Sequence, residues 1–188
     1  MKPKYSPAIG ARAISRAAHF LGLTEVASNA EWDDLSTPVK DAIADELKAE
    51  LMRAGWQSGW PYCAAFCEAV WRYAYQGRAE LPDVKQMLTP GCLVSFNNAA
   101  EKGWTSKEPV IGAIGIMKKG STSNGHAFIV TGIKGKVLQT IEANTSPNAK
   151  TAEQDRNGDG VYRKTRELVY KPTAGLHLVG FIIPCVYA

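Results

Sequence analysis

Gly59-Trp60-Pro61-Tyr62-Cys63-Ala64-Ala65-Phe66-Cys67-Glu68-Ala69-Val70-Trp71 is the stretch on which the fold turns. Phe66, Val70, Tyr73 and Ala74 recur at helical spacing and draw one apolar stripe, which predicts a helix over about 62–76. Pro61 stands at or just before the first turn, where a missing backbone N–H is no loss. Cys63 is then at the amino-terminal end of a buried helix, where free N–H groups and the positive end of the helix dipole favour a thiolate over a thiol. A buried cysteine taken alone is most often a packing residue. A catalytic reading therefore depends on what the rest of the chain sets beside it.

Upstream, residues 8–22 carry Ile9, Ala13, Ala17, Phe20 and Leu21 on one helical face and Arg12 and Arg16 on another, with Gly22 as a stop. Residues 24–36 are polar and irregular. Residues 37–53 form a second helix, capped by Thr37 and opened by Pro38, with Val39, Ile43, Leu47 and Leu51 every four residues. The loop 55–59 delivers the chain to the cysteine helix. Downstream the period changes. Segments 93–96, 113–117, 126–133, 136–143, 161–165 and 177–183 are short and rich in Val, Ile, Thr and aromatics, and turn residues separate most of them. Helices first and strands after, without βαβ alternation, predict an α+β domain with a mainly antiparallel sheet. Nothing repeats, and no internal boundary interrupts residues 1–188: the helices take about 8–53 and the core about 56–184.

A chain of 188 residues, 45% apolar and 21% charged, is long enough for one full core and has no disordered or fibrous bias. Its net charge of +4 is mild and dispersed, which argues against a nucleic-acid stripe and helps approach to an anionic polymer such as a bacterial wall only weakly at physiological salt. Four cysteines, Cys63, Cys67, Cys92 and Cys185, are too few for a disulfide framework in a chain of this length. Cys63 and Cys67, one helical turn apart, are too distant at Cβ to bridge. No cysteine pair has zinc-knuckle spacing, and His19, His126 and His177 are far apart, so no metal and no cofactor is expected. Arg12, Arg16 and His19 interrupt the first 23 residues, and no stretch approaches the ~20 apolar residues of a membrane span. The expectation is a chain made in the cytoplasm without a signal peptide, not inserted in a membrane, and a monomer.

A thiolate nucleophile needs a base beside it, and the base needs a third group to fix its tautomer. His126 opens the strand from Gly125 to Ile133, and Lys134-Gly135 turns into a second strand ending Thr140-Ile141-Glu142-Ala143-Asn144. A three-residue loop pairs Ile133 with Val137 and sets His126 opposite Asn144, with Glu142 diagonal to it. A four-residue loop sets His126 opposite Glu142. Both put the three side chains on one face; a two-residue loop starting at Ile133 does not. Opposed pairs sit about 5 Å apart and diagonal ones about 7–8 Å, within reach of a carboxylate or amide. Each of the three residues is ordinary singly. Together they supply a base and its orienters.

Trp60-Pro61-Tyr62-Cys63-Ala64-Ala65-Phe66, Gly125-His126-Ala127-Phe128 and Thr140-Ile141-Glu142-Ala143-Asn144-Thr145 resemble, in order, the three signature segments of CHAP domains. These are cysteine, histidine-dependent amidohydrolases/peptidases of the papain-like, NlpC/P60-type superfamily. Segments 158–166 and 179–182 are similar to the closing strands of such domains. The resemblance covers residues 56–184 well and 8–20 weakly. It departs from the family at Ala143, where the family has Gly.

The resemblance implies a papain-like fold with the nucleophile at a helix N-terminus packed on an antiparallel sheet. It implies Cys63 as nucleophile, His126 as general base and then acid, Glu142 as its orienter and Asn144 as an accessory polar group. The Cys63 N–H would serve the oxyanion, with Gln57 a second candidate. The implied substrate and partner is bacterial peptidoglycan, cut at an N-acetylmuramoyl–L-Ala, stem-peptide or cross-bridge amide. A phage lysin released through a holin fits, as does a secreted antibacterial effector with its delivery apparatus and an immunity protein. The rivals are a protease, deamidase or transglutaminase acting on proteins, and a non-catalytic wall-binding or phage structural protein. The latter predicts a triad residue replaced, and none is. Trp56, Trp60 and Trp104 are groove walls or packing residues. Residues 53–60 hold no acid for a calcium loop, and Asp155 to Gly160 copies the start of an EF-hand loop but reaches Arg166 where the bidentate Glu belongs.

Overall fold

The computed structural model describes residues 2–33 and 38–187. The amino-terminal part runs β1 (Pro3–Tyr5), α1 (Pro7–His19), β2 (Thr24–Ala27), β3 (Glu31–Asp33) and α2 (Pro38–Arg53). Three helices follow: α3 (Cys63–Ala74), α4 (Leu81–Met87) and α5 (Cys92–Glu101). The rest is β4 (Thr105–Ser106), β5 (Ile114–Lys119), β6 (Gly125–Lys134), β7 (Val137–Thr145), α6 (Ala152–Arg156), β8 (Gly160–Glu167), β9 (Leu176–Ile182) and β10 (Cys185–Tyr187). Eight strands form one sheet in the order β3-β2-β8-β7-β6-β5-β9-β4, with every pairing antiparallel. A two-stranded ribbon, β1 with β10, ties Pro3 to Tyr187 and Tyr5 to Cys185. This is the α+β class that the change of period predicts.

Helix α3 is the pivot of the core. Phe66, Val70, Trp71 and Ala74 are fully buried, and each large apolar side chain so placed stabilises the fold by about 1.5–3 kcal/mol. Tyr73, expected on that stripe, is instead exposed and lies against the Arg16 guanidinium. Arg16, expected on the polar face of α1, is buried and reaches Glu46 and Glu50 of α2 at 2.5 Å each, which ties the first three helices together. On the sheet, Ala127, Ile129, Ile141 and Ala143 join the core shared with the helices. Phe128, Val130 and Leu138 join a second, smaller cluster with Met117, Leu178 and Phe181. Alternation along β6 and β7 thus feeds two cores from one sheet.

Two glycines let α1 touch the sheet layer. A Cβ on Gly112, whose φ is +80°, would lie 2.2 Å from the Gly10 Cα, and one on Gly10 would lie 2.5 Å from the Ile111 carbonyl oxygen. Only backbone fits between the two segments.

Several expectations change. Residues 24–36 are not wholly irregular, since they contain β2 and β3. Residues 93–96 are not a strand but belong to α5: Leu-Val-Ser-Phe is too short an apolar run to fix its period, and Cys92, Ser95 and Ala99 are the buried helical face. The expected cap Thr37 lies outside the described residues. The hairpin loop has two residues, with Lys134 paired to Val137. One extra residue in β6, Thr131, then shifts the register, so that Phe128 pairs with Glu142. A bulge thus restores the even register that a two-residue loop alone would break.

Candidate active site

Cys63 is the first residue of α3, and it is 4% exposed. Tyr62 precedes it as N-cap and makes no side-chain capping hydrogen bond, so no side chain of the cap occupies the first N–H groups of α3. A hydrogen bond from the Cys92 thiol pulls the Cys63 thiol well below its ordinary range. Burial opposes this, and the His126 imidazole and the Ala127 N–H add to it. One helical turn on, burial pushes Cys67 the other way, well above a usual thiol. The two cysteines of the helix are thus chemically distinct.

His126 is the second residue of β6 and lies just beyond the last β6–β7 pair, Phe128 with Glu142. It is fully buried, and its Nε2 is 2.9 Å from Glu142 Oε2. Its Nδ1 is buried without a hydrogen-bond partner of its own among the described residues, and the Cys63 sulfur is close enough for the two groups to shift one another. Burial alone would disfavour an imidazolium; Cys63 and Glu142 override it and push His126 up to about 9. Both shifts run in the direction that favours a thiolate–imidazolium pair. Gly125, just before His126, lets β6 lie close to β5 and α5: a Cβ there would lie 2.4 Å from the Met117 carbonyl oxygen and 3.4 Å from the Cys92 Cβ.

Glu142 is fully buried and fully used. Oε1 accepts from Thr140 Oγ1 at 2.6 Å and Arg166 Nε at 2.8 Å; Oε2 accepts from His126 and from Arg166 Nη2. Burial would raise its carboxyl, but the Arg166 guanidinium and His126 hold it well below the usual range. Arg166 also donates to both oxygens of Asp155, and Asp155 accepts from Lys164. Strand β8 thus contributes a bidentate clamp behind the carboxylate, the geometry for which arginine is suited.

Asn144 lies at a second irregularity, between Ala143 and Thr145 of β7, with φ of +58°. Asparagine tolerates that left-handed region better than most residues. Its side chain turns to α3 rather than to His126. Oδ1 accepts the Tyr62 N–H at 3.0 Å, and Nδ2 faces Asn29 Oδ1, Asn157 Oδ1 and the Gly158 carbonyl at 3.1–3.2 Å. The expected pairing of Asn144 opposite His126 is thus replaced by a hub that fixes the residue before Cys63.

One helix N-terminus with a perturbed thiol, and one strand with an imidazole–carboxylate pair, come together from opposite halves of the chain. Residues 53–144 match the family model of the CHAP domain. Searches of curated proteins and of solved structures returned no match. The CHAP family is one of hydrolytic amidases and peptidases associated with peptidoglycan, and the matched stretch contains Cys63, His126, Glu142 and Asn144.

Beside the CHAP match stand residues whose part in the site the sequence did not assign. Arg166 and Asp155 follow it in sequence; Arg166 shares the half-buried side of β8 with residues 162 and 164, a side whose Tyr, Lys and Arg give no apolar alternation in the sequence. Asp155 is committed to Lys164 and Arg166, so the EF-hand-like stretch is a short helix and a turn before β8. Cys92 lies within the match, and its Sγ is 3.8 Å from the Cys63 Sγ. Gln57 is exposed in the loop before α3. Of the three tryptophans, Trp56 and Trp104 are core, whereas Trp60 is 46% exposed and is the one able to line a groove. Trp32, packed on Tyr62 and Trp56, completes the aromatic support beneath the cysteine loop. Among the described residues no cluster of His, Cys, Asp or Glu could hold a metal ion, and no helix is long and apolar enough to cross a membrane.

Proposed function

We propose that this chain is a peptidoglycan hydrolase that cleaves an amide bond by a Cys–His–Glu mechanism of papain-like type. The observation that carries the reading is the meeting of Cys63, at the N-terminus of α3, with the buried His126–Glu142 pair. The Cys63 thiolate attacks the amide carbonyl. The Cys63 N–H at the helix N-terminus faces the developing oxyanion, where preorganised donors stabilise the tetrahedral intermediate. The His126 imidazolium protonates the leaving amine, and the neutral imidazole then activates water to hydrolyse the thioester. Glu142 keeps Nε2 engaged so that Nδ1 faces the sulfur. Asn144 acts through Tyr62 by fixing the turn that aims Cys63. The exposed Trp60 forms part of the substrate groove. The bond is an N-acetylmuramoyl–L-Ala or a stem or cross-bridge amide, and the protein reaches the wall as a phage lysin or as a delivered effector.

The test is incubation with purified sacculi beside Cys63→Ala. Soluble muropeptides from the wild type alone are expected, and their masses name the bond. Intact sacculi from both proteins, together with normal alkylation of Cys63 in the wild type, would refute the wall-hydrolase reading and direct the search to protein substrates.

A further inference from the structure

Cys63 and Cys92 come from different helices, 29 residues apart in sequence, and each is the first residue of its helix. Their sulfurs are 3.8 Å apart and both are free thiols. Gly125 carries no side chain where a Cβ would lie 3.4 Å from the Cys92 Cβ, so β6 and α5 pack closely beside the pair. Cys92 is the more accessible of the pair, at 9% against 4% exposure. We propose that Cys63 and Cys92 form a reversible disulfide under a hydroperoxide, which switches the site off and shields Cys63 from further oxidation. The inference concerns the sulfur chemistry of the site and holds whatever amide the protein cuts.

The steps balance. The Cys63 thiolate attacks the terminal oxygen of the hydroperoxide. The O–O bond breaks, an S–O bond forms, and the leaving alkoxide takes the His126 proton; sulfur loses two electrons and the peroxide gains them. Cys92 then attacks the Cys63 sulfenic acid. The S–S bond forms, the S–O bond breaks, and water leaves with the Cys92 proton, relayed through neutral His126. The Cys63 thiolate, first through the shared hydrogen bond, and burial together hold the Cys92 thiol up. Conversion of Cys63 to the sulfenic acid removes that charge, so the resolving thiol becomes easier to ionise at the step that needs it. Closing to a bonded S–S length of about 2.05 Å requires the two helix ends to move together by less than one residue's length.

The experiment exposes wild type, Cys92→Ser and Cys67→Ser to a small excess of hydrogen peroxide, blocks remaining thiols, and maps the peptides by mass spectrometry. Wild type and Cys67→Ser are expected to lose two hydrogens and yield one cross-linked peptide pair containing Cys63 and Cys92. A dithiol reductant is expected to return all four wild-type thiols. Cys92→Ser is expected to take oxygen onto Cys63, of which the sulfinic part resists reductant. Oxygen on Cys63 in the wild type without a cross-link, or a cross-link to Cys67, would overturn the proposal. The readout is covalent, so it stands apart from the sacculus assay.

Discussion

Arg166→Met is the perturbation that most directly probes how the buried carboxylate is held. It keeps much of the stem and deletes the guanidinium. Arg166 is 9% exposed and donates to Glu142 twice and to Asp155 twice. Asp155 is 21% exposed and keeps Lys164, so its loss is softened by solvent and a second cation. Glu142 has no water to fall back on. It keeps Thr140 and His126 but loses its only full-time cation among the described residues. Removing one partner of a buried pair typically costs about 3–5 kcal/mol, and two surviving hydrogen bonds place this case near the lower end, about 3 kcal/mol. In a domain of this size each kcal/mol shifts Tm by roughly 2–4 °C, so the melt should fall by about 6–12 °C. The same substitution in a Glu142→Gln background should cost about 1 kcal/mol, a coupling of about 2 kcal/mol. The pH dependence has a sign as well. Arg166 holds the Glu142 carboxyl below its ordinary 4.5, so the stability it confers is present above that value and is lost as pH falls through the lowered one. In Arg166→Met the orphaned carboxylate gains by protonating, and the deficit should shrink toward acid pH. Urea unfolding of the four proteins at neutral and acid pH is the assay. A neutral-pH difference under ~1 kcal/mol, or the same cost in the Gln background, would refute the clamp.

Two further outcomes are expected. The rate kcat/KM for sacculus digestion should fall as pH rises through about 9, where the His126 imidazolium is lost; a flat profile through that value would contradict the ion-pair form. Asn144→Ala should destabilise the fold by about 2–3 kcal/mol, because it leaves the Tyr62 N–H without its acceptor and puts a Cβ residue with no compensating side chain at φ of +58°. Urea unfolding reads the loss, and an unchanged midpoint would argue against the hub.

Cys63, His126 and Glu142 were legible because each lies in a local pattern: a helix start, a strand start, a strand end. What joins them was only partly so. The hairpin loop is shorter than the even register requires, and a bulge at Thr131, announced only by Gly132 inside the strand, corrects it. Leu93 to Phe96 has strand composition, yet tertiary burial of Cys92, Ser95 and Ala99 decides for helix. Cys92 of α5 reaches Cys63 across 29 residues of sequence, a long-range contact with no signature in spacing. Asn144 was legible as an accessory polar group, but not its contact with the Tyr62 N–H, since a left-handed residue turns its side chain out of the strand's alternation.

The β1–β10 ribbon sets how the fold bears load. Residue 3 faces residue 187 and residue 5 faces residue 185, and the Ser6 N–H continues the ladder to the Pro184 carbonyl. A pull applied at residues 3 and 187 opens this ladder as a zipper, one pair at a time. It never loads all the ribbon's hydrogen bonds in shear. The ribbon should therefore peel at low force while the eight-stranded sheet, and the cysteine helix packed on it, stay closed. An anchor or cargo attached at both ends would strain the ribbon first and leave the site's geometry intact.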